Sequence, residues 1–124
     1  MTIPILKQGT VLIVSIQAAL SDNLLVQLRD DLANQIGRFR ATGVVIDVSS
    51  LDVMDSFATR TLHSIADTTK LRGAETVIVG IQPDVAFAMI QLGLTLDGVI
   101  TGLDLEEGLA VVQRREQESL RRAR

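Results

Sequence analysis

Gly43-Val44-Val45-Ile46-Asp47-Val48, running through Ser49-Ser50-Leu51-Asp52-Val53-Met54 into Asp55-Ser56, is the stretch that decides the fold. Its first half is apolar on consecutive, mostly β-branched residues, the pattern of a strand covered on both faces. Its second half is a short loop opening an amphipathic helix. From Ser56 to about Arg72, at ~100° per residue, Ala58, Leu62, Ile65, Ala66 and Thr69 share one stripe. Ser56, Arg60, His63, Asp67 and Lys70 share the opposite one, and Phe57 falls between them.

Outward from this unit the pattern continues in both directions. Ile3 to Lys7 and Val11 to Ile16 are short strand-like runs around Gln8-Gly9-Thr10, which predicts a hairpin. Ser21 or Asp22 can cap a helix with the core stripe Leu24, Leu25, Leu28, Leu32 and Ile36, and Gly37 and Gly43 bracket its end. Thr76-Val77-Ile78-Val79 reads as a strand. Gln82-Pro83-Asp84 opens a third helix, with proline where a missing N–H costs nothing, and Gly93 closes it. Val99-Ile100 is a last short strand, and Asp104 can cap a final helix. The order ββαβαβαβα predicts one α/β domain over residues 1–124, with a mixed sheet and right-handed crossovers.

The third helix departs from ordinary amphipathicity. Val85, Ala88, Met89 and Leu92 form its inward stripe, yet Phe87 and Ile90 point away from it. An apolar outer face is covered either by loops or by another subunit.

Composition narrows the function classes. Hydrophobic residues are 47% and charged residues 22% of the 124, which is globular rather than disordered composition. The absence of cysteine excludes disulfides and thiolate metal sites and leans towards a reducing compartment. With no signal-peptide pattern and no apolar run near the ~20 residues a membrane helix needs, a cytoplasmic protein without a membrane partner is expected. Net charge is −3, although residues 114–124 hold five arginines against two glutamates. The body is therefore acidic, and aromatic residues are only 2%, so nucleic-acid binding is not expected. Glu118 lies four residues from both Arg114 and Arg122, which predicts a basic helix end laced with ion pairs.

Catalysis finds little material. His63 is the single histidine, seven residues from Ser56 on one helix and so roughly 10 Å along its axis, too far to activate the hydroxyl. One histidine without cysteine makes no zinc site. The glycines match neither dinucleotide nor P-loop spacing. Asp47 ends a central strand, where a phosphoaspartate receiver would place its acceptor, but Gln17-Ala18-Ala19-Leu20 lacks the acidic pair that would hold magnesium. No enzyme, metal, cofactor or small-molecule substrate is expected.

What remains is a switch. Asp55 or Ser56 caps the helix, and a serine in the first turn presents its hydroxyl to solvent. A phosphate there meets unpaired N–H groups and the positive end of the helix dipole, so it changes surface charge without unfolding the helix.

The opening strand pair, Val45-Ile46-Asp47-Val48-Ser49 with Val53-Met54-Asp55-Ser56, and the run from Gly73 to Pro83 together resemble the STAS domain over essentially the whole chain. That fold is shared by bacterial anti-sigma-factor antagonists and stressosome proteins. The resemblance implies that Ser56 is a phosphoacceptor. Phe57-Ala58-Thr59-Arg60, Gly80-Ile81-Gln82-Pro83 and Leu92-Gly93-Leu94 are closer to the RsbS type of scaffold than to free antagonists, which continue after Asp-Ser with small residues and a glycine. RsbR-type paralogues carry an additional N-terminal module and a threonine in place of Ser56, whereas this chain begins at its first strand. The resemblance further implies an RsbT-type switch kinase as partner, RsbR-type paralogues in a large multi-subunit assembly, and a phosphatase that resets Ser56. Asp55, Phe57, Arg60 and His63 are the residues expected at the kinase, and Phe87 with Ile90 at a neighbouring subunit.

Overall fold

The computed structural model describes residues 3–18 and 20–123. Its elements follow the predicted order: β1 (Ile5–Gln8), β2 (Val11–Ser15), α1 (Asp22–Phe39), β3 (Gly43–Asp47), α2 (Ser56–Leu71), β4 (Glu75–Val79), α3 (Pro83–Gln91), β5 (Ile100–Gly102) and α4 (Leu105–Arg122). The sheet runs β1-β2-β3-β4-β5 in sequence order. β1 is antiparallel to β2 across a turn in which Gly9 adopts φ +60°, and every later pairing is parallel.

Alternation along the strands sends side chains to two separate cores. Leu12, Val14, Val44, Ile46 and Ile78 face one side, where they meet Leu28, Leu32 and Ile36 of α1, Leu62 and Ile65 of α2, and Val85 and Met89 of α3. Val11, Ile13, Val45, Val77 and Val79 face the other side and meet Val112 of α4. α4 lies close because two positions lack side chains. A Cβ on Gly43 would run into Val112, and one on Gly108 would sit 2.8 Å from Val79 Cγ1.

Several local expectations are corrected. Gly37 and Gly43 do bracket the end of α1, but neither glycine is its cap. The helix continues to Phe39 and closes on Arg40 in the left-handed region, φ 52°, whose N–H bonds the Ile36 carbonyl. The missing side chain at Gly37 instead makes room for the Arg72 guanidinium. In α2, Ala58 and Ala66 are only half-buried, while Thr59 and Thr61 are buried. Their hydroxyls donate back to the carbonyls of Asp55 and Phe57, at 2.9 and 2.8 Å, which lets polar residues occupy the inner face.

In α3 the buried stripe narrows to Val85 and Met89. Ala88 is exposed, and Leu92 is 69% exposed because the helix ends before it. Gly93, at φ +71°, turns the chain so that Leu94 packs on the core and its N–H bonds the Met89 carbonyl at 2.8 Å. The predicted Arg114–Glu118–Arg122 ion pairs are not formed. Among the described residues the one ion pair within 4 Å joins Arg29 to Asp30, 3.3 Å apart.

Candidate functional site

The loop between β3 and α2 is held at both ends and in the middle. Asp47 Oδ1 accepts the Ser49 N–H at 2.9 Å, so the last residue of β3 closes the first turn of the loop. The sheet continues past β3 through Val48 N–H to the Val79 carbonyl, 3.0 Å. Leu51 and Met54 are buried and fasten the loop into the core, with 6% and 5% of their surface exposed. Gln82 Nε2 donates to the Ser49 carbonyl at 2.8 Å, tying this loop to the start of α3.

Asp55 is the N-cap. Its backbone is extended, φ −80° and ψ 178°, and its Oδ1 accepts the Ala58 N–H at 2.7 Å. Ser56 is therefore the first helical residue, and it is exposed. The cap and the hydroxyl are separate residues, so the helix start does not rely on the serine.

Down the outer face of α2, Arg60 is exposed, His63 half-buried and Asp67 exposed. These three form one wall of a groove of about 540 Å³ whose other wall is the loop Gly93-Leu94-Thr95. Phe57 is half-buried to one side of this face. Phe87 and Ile90 lie on α3, 67% and 74% exposed, three residues apart and thus on one helical face. The structure brings Asp55, Ser56, Arg60 and His63 together along α2. Phe87 and Ile90 form a separate apolar surface.

One feature of the site was not read from the sequence. Val53 is 67% exposed beside Asp55, at the rim of a small notch of about 70 Å³ lined also by Leu20, Leu25 and Leu51. Its signal was weak: Leu51, Val53 and Met54 are all apolar, and the sequence does not say which two the core takes.

Around Ser56 the charge is one-sided. Asp22, Asp47, Asp52, Asp55 and Asp84 all lie at the ends of elements on this rim of the sheet, where α1, α2 and α3 begin. Arg60 is the cation nearest in sequence to Ser56 on α2. Among the described residues no cluster of His, Asp and Glu is arranged to hold a metal, and no helix is long and apolar enough to cross a membrane.

The family model described as the STAS domain matches residues 2–107. A structure of RsbS from Moorella thermoacetica, in a variant with one serine replaced by glutamate, superposes with a TM-score of 0.79 at 35% identity, covering 93% of this chain and 97% of that one. A chain from the molecular architecture of the stressosome, described as a signal integration and transduction hub, gives 0.74 at 35% identity, covering 91% and 98%. The RsbT co-antagonist protein RsbRD of Bacillus subtilis is 30% identical over 81 residues, 65% of this chain. This chain spans only 29% of that relative's length.

Proposed function

The chain belongs to the STAS domain family, and on that premise we propose that it is a non-enzymatic, RsbS-type scaffold subunit of a bacterial stressosome. Unmodified, it holds an RsbT-type switch kinase; phosphorylated on Ser56 by that kinase, it lets the kinase go, and a phosphatase restores the first state. RsbR-type paralogues are its neighbours in the assembly, and the setting is the cytoplasm.

The observation that carries this reading is the position of Ser56: exposed, first in α2, and directly after a capping aspartate that already fixes the helix. A phosphate there adds about −1.5 to −2 charges to a rim that already presents Asp52 and Asp55. Against a partner seated on that rim, like-charge crowding weakens binding by ~1–3 kcal/mol, the ordinary scale of coupling between sites. Asp55, Phe57, Arg60 and His63 form the kinase side of the proposal, while Phe87 and Ile90 serve a neighbouring subunit.

Incubation with an RsbT-type kinase and ATP, followed by peptide mapping, tests the assignment. Label on Ser56 is expected; label confined to Ser49, Ser50 or Thr59 overturns it. Size-exclusion chromatography with an RsbR-type partner tests the assembly. Species no larger than dimers would favour a free anti-sigma-factor antagonist instead.

A further inference from the structure

We propose that Arg60 is a relay between Ser56 and the groove beneath it. In the unmodified chain its side chain forms part of the groove wall; in the phosphorylated chain its guanidinium turns to the phosphate and leaves that wall. This rests on Ser56 being the modified residue and adds a second route by which modification reaches a bound partner.

Three observations converge on this residue. Arg60 follows Ser56 by four positions on one helix, the spacing at which side chains stack along the surface, and the anion is N-terminal to the cation, the favourable orientation. Arg60 is exposed and, among the described residues, no carboxylate lies within 4 Å of it, so no ion pair must break before it moves. It also lines the groove facing Gly93, Leu94 and Thr95. Neither other basic residue on α2 has this geometry. His63 lies roughly 10 Å from Ser56 along the axis, and Lys70 two turns beyond that.

The need for such a counter-charge follows from the cap. Asp55 already occupies the Ala58 N–H, so a phosphate on Ser56 shares the helix start with a carboxylate and has Asp52 nearby in sequence. The helix dipole favours the phosphate and the two carboxylates oppose it. A guanidinium one turn below is the group within reach that offers paired donors to phosphate oxygens.

The test uses the full chain with phosphoserine installed at position 56 during synthesis, so that it does not depend on any kinase. In the wild type, phosphorylation should shift the Arg60 Nε–Hε resonance and the amides of Gly93, Leu94 and Thr95 across the groove. In Arg60→Gln those loop amides should stay where they are in the unmodified chain, and Arg60→Lys should restore only part of the shift. By ³¹P titration, the second phosphate pKa should be lower in the wild type than in Arg60→Gln by about 0.15–0.4 pH unit, the worth of one helical ion pair. Because Arg60 is exposed, Arg60→Gln is expected to keep the wild-type fold, checked by its unmodified spectrum. Coincident titrations together with loop amides that move equally in both proteins would overturn the relay. Failure of a kinase to label Ser56 would instead overturn the functional reading and leave these spectra interpretable.

Discussion

Asp55 and Ser56 are adjacent in the chain but carry separable tasks. The aspartate supplies the oxygen that satisfies the Ala58 N–H, and its own carbonyl accepts from Thr59. Asp55→Ala should therefore destabilise the domain by about 1 kcal/mol, the usual cost of removing a cap, measured by urea unfolding. Ser56→Ala should leave the unfolding midpoint within about 0.5 kcal/mol of wild type, as for an exposed position with no special role in the fold. In a kinase pull-down the same variant should retain kinase in the presence of ATP where the wild type loses it. The Asp-Ser pair and its exposure were legible in the sequence because capping is a local rule. Which of the two residues did the capping was not, since either side chain can accept from the first turn and only the backbone dihedrals decide.

The elements themselves were legible wherever apolar spacing was regular. α1, α2 and β2 to β4 appear with boundaries shifted by a residue or two at most ends, the normal fraying of such assignments. Two kinds of position escaped. Thr59 and Thr61 are buried because their hydroxyls bond within the helix, a compensation that a count of apolar residues cannot register. Gly37 and Gly43 were read as helix punctuation, but both are places where something else comes close: Arg72 in one case, Val112 in the other. That contact is long-range, between residues brought together only by the sheet, and no local pattern announces it. Gly43→Ala should consequently cost about 1–3 kcal/mol by forcing α4 away from β3, read as a lower thermal midpoint. Far-UV circular dichroism below the transition should be unchanged, because the helices themselves are not touched.

At the scale of the molecule, Ser56 and the apolar surface are carried by different helices of the same layer. Phe87 and Ile90 belong to α3, and α3 is joined to the loop before Ser56 through Gln82 and Ser49. Replacing both apolar residues, as Phe87→Ser with Ile90→Ser, should leave the isolated domain folded, since neither is buried. Co-assembly with an RsbR-type partner should shift from large particles towards free subunits, measured by analytical ultracentrifugation. An unchanged particle size would assign neighbour contact to another surface.

All four helices start at one end of the parallel strands and finish at the other. Acidic residues gather where they start, including Asp22, Asp52, Asp55, Asp84, Asp104, Glu106 and Glu107. Cations gather where they finish, with Arg38 and Arg40 at the end of α1, Lys70 and Arg72 at the end of α2, and Arg121 and Arg122 at the end of α4. Each molecule is thus a small electrical rod with a negative tip, and Ser56 sits on that tip. A phosphate placed there does more than lower the total charge: it steepens the gradient from tip to tail, so that an approaching cationic surface would meet the modified molecule in a preferred orientation.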